Sequence, residues 1–302
     1  MVARRNLFCY AMVAPALVLV LVIGVYPMLD SIRLAFLQYD LLRLPAEGTP
    51  FVGLANFGVI FQEPRFVQTL QTTFVFTILA VSGNLCLALI ISSVLNQEFR
   101  GRGTLRTVVL VPWVTPPVVA AAVWLWLYDP SRSPLNQVLS QLGLIERNIG
   151  FLTDTATRWG PISIPLLSVT LVRIWFGLPF AVIMLLAGLQ SIPKDIYEAA
   201  VLDGASVFTR FRTITLPLLK PVLTILLALL TIGGLGHFDI NYVMTGGGPN
   251  NLTNTLAVIA YQEAFNSFRF DHAAAISVVI LVFTSVIAVF YIWRRFRELQ
   301  EI

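Results

Sequence analysis

EAAVLDGASVFTRFRTITLP, Glu198 to Pro217, is a charged, small-residue stretch set between long apolar runs. Just upstream, Ser191 and Pro193 form a helix-start signal, since proline suits a first turn. Asp195 and Glu198 follow, where negative charge favours the helix dipole. Lys194 to Asp203 is expected to be a helix of about two and a half turns, with Ala199 and Ala200 leaving room for a close neighbour. Gly204 stands where a helix has to end or turn sharply. Beyond it Val207, Phe211 and Ile214 recur at i, i+4 and i+7, with Phe208 beside them, and predict a second, amphipathic helix. Arg210 and Arg212 lie on another side of it, and Pro217 marks where it meets the next apolar run.

The surrounding runs decide what this segment is embedded in. Of 302 residues, 57% are hydrophobic and 12% charged, and the mean hydropathy is +0.81. A soluble domain carries roughly 25% charged residues, so this chain has too little charge to cover a water-facing surface. It reads as an all-α, polytopic membrane protein. Six segments reach the apolar length of about 20 residues that a spanning helix needs: 7–29, 69–96, 104–127, 161–190, 217–238 and 273–293. Runs of that length exclude the roughly 10-residue alternating strands of an outer-membrane barrel. The first run follows Arg4 and Arg5 but extends from Leu7 to Leu29, longer than the 7–15 or so residues of a signal peptide's apolar core. It is expected to be an uncleaved span. Residues 1–302 are expected to form a single transmembrane domain, with 191–216 as one of its loops.

Lys and Arg are shared unevenly among the loops. With the N-terminus inside, twelve fall on inner segments and seven on outer ones, the latter interleaved with Asp and Glu. Positive charge collects on the cytoplasmic side, so both termini and the 191–216 loop are expected in the cytoplasm. The net charge of +4 expresses these loops, since no Lys/Arg block exceeds two residues. Without an aromatic–basic motif either, nucleic acid is not an expected partner, whereas membrane lipid is.

Several chemistries are excluded. The glycine run TGGGPNN, 245–251, lacks the lysine of a nucleotide-binding loop and reads as a turn on the outer face. There is no HExxH, GxSxG or CxxC. His237 and His272 have no Cys or Glu at ligand spacing, so neither a metal site nor a catalytic site is expected. Cys9 and Cys86 lie within apolar runs and read as packing or lipid-facing residues. Ion-coupled carriers place Asp, Glu or His deep in the bilayer; here Arg173 is the main charge within a span and has no evident carboxylate. A transporter of this composition draws its energy from another chain.

Prolines and glycines cluster in the spans: Pro112, Pro116 and Pro117 in the third, Pro161, Pro165 and Pro179 in the fourth, Gly233, Gly234 and Gly236 in the fifth. Such residues allow close packing or break helices where a cavity is lined. Their grouping in the fourth and fifth spans favours a path there. The amphipathic half of the opening stretch suits an interfacial helix on anionic lipid. Glu198-Ala199-Ala200 and Asp203-Gly204 do not, and read as a knob for a groove in a protein.

Glu198-Ala199-Ala200, three residues, Gly204, nine residues, then Ile214-x-Leu216-Pro217 resembles the EAA motif of bacterial ABC importer permeases. The segments FVGLANF, PWVTPPVVAAAVWLWLYDP and FDINYVMTGGGP extend the resemblance over nearly the whole chain, to the carbohydrate branch and its maltose-type permease subunits. The resemblance implies a type I ABC importer permease fold in the bacterial cytoplasmic (inner) membrane, with Lys194–Asp203 as the cytoplasmic coupling helix. Glu198, Ala199, Ala200, Asp203 and Gly204 would form the ATPase-coupling site. It implies a second homologous permease subunit, two cytoplasmic ATPase subunits that bind ATP and Mg, and an extracytoplasmic solute-binding protein. The chain itself would be a transport subunit, not an enzyme, and would hold no cofactor. Phe176, Gly177, Phe180, Leu230, Gly233, Gly234 and His237 match the substrate-path segments. Phe, Leu and Gly stand there where the maltose pattern has polar side chains. The implied solutes are oligosaccharides, disaccharides or polyols; glycerol phosphate or a polyamine would use the same architecture, and a secondary carrier or a membrane sensor is the alternative from another class.

Overall fold

A computed structural model describes residues 12–42 and 48–300, with side chains through Arg294. The expected start of the first span at Leu7 lies outside the described residues, with Arg4, Arg5, Cys9, Arg43 and Glu47, as do the side chains of Arg295 and Arg297.

The chain begins with α1, Met12–Leu34, followed by α2, Ala55–Gln62, and the long α3, Pro64–Leu95. Next come α4, Arg102–Val114, α5, Pro117–Leu127, and the short α6, Pro134–Gln141. A two-stranded antiparallel ribbon of β1, Arg158–Trp159, and β2, Ile162–Ser163, leads into α7, Ile164–Gln190. After it lie α8, Lys194–Leu202, and α9, Val207–Arg210, which passes through a π-helical turn, Phe211–Thr215, into α10, Leu216–Leu235. The remaining helices are α11, Asp239–Thr245, α12, Leu256–Phe265, and α13, Phe270–Gln300.

Five stretches are long and apolar enough to cross a membrane: Met12–Leu34, Pro64–Leu95, Ile164–Gln190, Val207–Thr245 and Phe270–Arg294. The third expected span, 104–127, is instead the pair α4–α5, bent by 99°. The break follows from local chemistry. Proline disfavours helical backbone in the residue before it, and Thr115 and Pro116 both carry extended ψ values, 129° and 139°.

Other boundaries moved for equally local reasons. Pro161 belongs to the ribbon's turn, not to the fourth span, and Pro165 lies in the first turn of α7, where its missing N–H costs nothing. Only Pro179 is interior to α7. Pro217 does not separate the amphipathic helix from the fifth span. A proline leaves the carbonyl four residues back unpaired and crowds it; the π turn immediately before Leu216-Pro217 widens the helix and carries it through. The same device precedes Tyr26-Pro27 in α1, where Val20–Val25 is π-helical.

Two compact units divide the chain. In one, up to Phe66 with Ile259–Val282, buried Asn56 donates to the carbonyls of Ala35 and Leu37, each at 2.9 Å. Buried Glu263 there takes Arg269 Nη2 at 2.6 Å. In the other, Val67–Val258 with Phe283 onward, α5, α7 and α11 enclose Phe76, Leu166, Val169, Val172 and Ile240. A second cluster, Ala88, Ala181, Leu185, Leu226 and Leu230, joins α3, α7 and α10. Gly188 lets the last two helices meet: a Cβ there would fall 2.8 Å from Leu219 Cδ2.

Candidate functional site

The five residues expected to couple to an ATPase lie together on one projecting turn. Pro193 caps α8, and its side chain supplies no hydrogen bond. Ser191 does not start this helix; its hydroxyl donates to Gly188 O at 2.7 Å and closes α7. At the far end, Ala205 N–H donates to Ala200 O (2.9 Å) and Gly204 N–H to Val201 O (3.0 Å). This is the paired pattern of a Schellman stop, with glycine in the left-handed position at φ +75°. Ser206 Oγ then accepts from Thr209 N–H at 3.2 Å and starts α9. Helix, stop and restart are therefore all specified within Pro193–Thr209.

The underside of α8 is anchored and its top is free. Tyr197 Oη and Thr215 Oγ1 lie 3.0 Å apart, and Ile192 packs with Leu189 and Leu219. Lys194 donates to Glu98 at 2.8 Å, which lowers the carboxyl's pKa and raises the amine's; both groups are exposed, so salt screens the pair. Glu198, Ala199, Asp203 and Gly204 are exposed, and Ala200 is half-buried. Around them Leu202, Val207 and Phe208 stand 89%, 74% and 71% exposed, a cluster of apolar groups with nothing covering it.

The substrate-path residues fall on two helices. Arg173, Phe176, Gly177 and Phe180 share one side of α7 by their i, i+3, i+4 and i+7 spacing. Leu230, Gly233 and Gly234 lie on α10. Gly177 and Gly233 come together at the head of Arg173: a Cβ on Gly177 would sit 2.6 Å from Arg173 Nη1 and 2.8 Å from Asn84 Nδ2, and one on Gly233 3.8 Å from Arg173 Nη2. Leu230 and Gly234 line a narrow pocket with Arg173, Asn84, Ala80 and Val81. Phe176 and Phe180 pack against the two apolar clusters, and Phe180 also meets Trp113, ring centroids 6.2 Å apart. His237 lies past the end of α10, stacked on Phe76 at 6.3 Å.

Two residues at this place are missing from the substrate-path set expected from the sequence. Arg173 stood out as a charge within a span, yet its neighbours come from α3 and α10, far away in the chain. Asn84 on α3 is buried and donates to Ile174 O at 3.2 Å. A charge at the centre of a spanning helix costs about 2.5–3.5 kcal/mol on insertion scales. Arg173 Nε nevertheless has no hydrogen-bond partner among the described residues, nor have Asn84 Oδ1, Thr77 Oγ1 and His237 Nε2. No group of three or more His, Cys, Asp or Glu suited to a metal ion occurs among the described residues. Farther towards the N-terminal end of α3, a cavity of about 600 Å³ is lined by Gln68, Gln71, Thr72, Arg158 and Leu252.

Residues 84–298 match the model of the family described as binding-protein-dependent transport system inner membrane component. The chain is 37% identical to the trehalose/maltose transport system permease protein MalF of Thermococcus litoralis over 94% of its length and 92% of the relative's. It is 33% identical to the sulfoquinovosyl glycerol transport system permease protein SmoG of Agrobacterium fabrum, over 95% and 90%. Its fold matches a chain of the crystal structure of a bacterial ABC transporter that imports the acidic polysaccharide alginate, with a TM-score of 0.82 over 97% of this chain and 96% of that one, at 23% identity. The apolar helices, the helix–glycine–helix turn and these matches together place the chain among the binding-protein-dependent transport system inner membrane components, as a multi-pass permease subunit of an ABC importer.

Proposed function

We propose that this chain translocates a carbohydrate (an oligosaccharide, disaccharide or polyol) into the bacterial cytoplasm by alternating access, driven by ATP hydrolysis in partner subunits. The solute class is supported by the relatives for trehalose/maltose and for sulfoquinovosyl glycerol. The family's description supplies the binding-protein partner. The rest of the assembly is a second homologous permease and two cytoplasmic ATPases, which bind the ATP and Mg. Both termini and the 191–216 loop face the cytoplasm, as the Lys/Arg distribution favours.

One observation carries the mechanism. From the Gly204 turn, α9, the π turn and α10 form an unbroken rod that ends at Gly233, Gly234 and Leu235. At 1.5 Å per residue the rod is about 40 Å long. Its near end holds the exposed knob and its far end the Arg173 pocket. When the ATPases close, a displacement of α8 therefore reaches the path as a rigid-body movement. Glu198 and Asp203 contribute charge to that docking, and Leu202, Val207 and Phe208 contribute apolar burial.

The test is sugar-stimulated ATP hydrolysis and uptake by the reconstituted complex with its binding protein. The wild type should respond to at least one carbohydrate. Gly204→Val, a β-branched residue at positive φ, should keep the spans assembled and lose stimulation. Wild-type uptake by that variant would remove α8 as the coupling element. A wild type that responds to no carbohydrate would remove the solute class.

A further inference from the structure

Arg173 has no task in the mechanism above, and its surroundings are those of a binding group. It stands nine residues into α7, about 14 Å along the helix, which is close to the middle of a hydrocarbon core about 30 Å thick. Arginines at that depth are normally paired with a carboxylate or with backbone carbonyls. This one forms neither an ion pair nor a hydrogen bond among the described residues, and its Nε is sealed from solvent. The polar atoms nearby do not answer it. Asn84 turns its Nδ2 to Ile174 O, so it meets the guanidinium side with a donor.

The space at the guanidinium is kept by glycine on both helices. Gly177 cannot accept a Cβ without displacing Arg173 Nη1, and Gly233 is exposed beside Nη2. The pocket lined by Arg173, Asn84, Leu230 and Gly234 has a free volume of about 10 Å³, the size of one water. A pocket of this size admits no sugar, although Arg173 is only half-buried and Gly233 beside it is exposed; a solute fits against the guanidinium when α7 and α10 part. The pocket thus has a planar cation, a clearing beside it and no carboxylate; the Asn84 Oδ1 at its edge is unpaired and makes no bond to the guanidinium.

We propose that Arg173 is the specificity-determining residue of the translocation path, selecting carbohydrates that carry an anionic group: a carboxylate, sulfonate or phosphate. The proposal rests on the carbohydrate reading above. The guanidinium fork presents parallel N–H donors that match two oxygens of such a group, and a charge-assisted pair is stronger than a bond to a sugar hydroxyl. A neutral sugar would leave the buried charge uncompensated at every passage. Selection by charge also accounts for a site with few polar side chains, because a single cation orients the solute where hydroxyl-binding groups are missing.

The experiment measures uptake by cells that express the whole importer with its binding protein. Four labelled probes are compared: trehalose (neutral), cellobiouronic acid (carboxylate), sulfoquinovosyl glycerol (sulfonate) and trehalose 6-phosphate (phosphate). The wild type should carry at least one anionic probe at least about tenfold faster than trehalose, and Arg173→Gln should erase that preference. Arg173→Lys, which keeps the charge and loses the fork, should fall between them. If Arg173→Gln does not co-purify with its partner subunits, Arg173→Lys decides, and an unchanged ratio of anionic to neutral uptake overturns the proposal. A wild type that prefers trehalose, or an Arg173→Gln variant with the wild-type ratio, overturns it too and leaves the carbohydrate reading standing. If none of the four probes enters, no anionic probe is preferred and the proposal falls, while the carbohydrate reading is decided separately by sugar-stimulated ATP hydrolysis. If Arg173→Gln loses the second permease, Arg173→Lys restores it and the ranking of probes stays the same, Arg173 is an ion-pair partner of another chain and the proposal fails.

Discussion

Gly177 and Gly236 are both glycines of spanning segments, yet their surroundings differ sharply. A Cβ on Gly177 would meet Arg173 Nη1 at 2.6 Å and Asn84 Nδ2 at 2.8 Å; on Gly236 the nearest atom is Ile232 O at 4.0 Å. The Asn84 amide is tied to Ile174 O and cannot move freely. Gly177→Ala should therefore cost about 1–3 kcal/mol by overpacking and slow uptake, and Gly236→Ala should do neither. Thermal unfolding of the purified complex together with an uptake assay separates the two. His237→Ala tests the imidazole in the same way: loss of its stacking on Phe76 should reduce uptake, and unchanged affinity and rate would remove His237 from the path. At this scale the sequence showed that Arg173 was anomalous but not why. Its significance comes from Asn84, Gly177 and Gly233, which are brought together by helix packing, and no local pattern encodes that meeting.

Elements were most legible where local chemistry alone decides them. The helix Lys194–Leu202 and its stop at Gly204 follow from Pro193 and acidic Asp195 at its start and a glycine in the left-handed position, all within a dozen residues. Span length followed from apolar run length for α3, α7 and α13. What hydropathy misses is direction, because it counts apolar residues without registering that Thr115-Pro116-Pro117 turns the chain by 99°. It also takes a proline for a boundary where a π turn carries the helix through, as at Pro217. The bend can be measured. Spin labels on Leu105→Cys and Leu125→Cys, with Cys9 and Cys86 replaced, would be about 30 Å apart on a straight helix. On two arms bent by 99° they are about 20 Å apart on the same rise per residue. Pro116→Ala with Pro117→Ala lifts the restriction on Thr115 and should lengthen the distance. A wild-type distance near the longer value would mean that the pair is one straight span.

At the scale of the whole chain, exposed apolar helix faces and the exposed, charged Glu198–Gly204 turn make sense only in a particular orientation. The apolar window of α1 is entirely unburied, and Val286, Val289 and Ile292 on α13 are likewise exposed. Without water to satisfy stray peptide groups, such surfaces tolerate lipid or another apolar protein. On the docking proposed above, the exposed Glu198–Gly204 turn meets an ATPase, and ATP is present on one side of the membrane only. Positive charge gives the sign: the segments expected inside hold more Lys and Arg than those expected outside. Single cysteines in a background lacking Cys9 and Cys86 report this directly in intact spheroplasts. Ser131→Cys and Asn250→Cys should react with a membrane-impermeant maleimide, and Asp195→Cys should react only after permeabilisation. Labelling of Asp195→Cys from outside would place α8 beyond the reach of any ATPase, and the rod from Val207 to Leu235 would then have nothing to transmit.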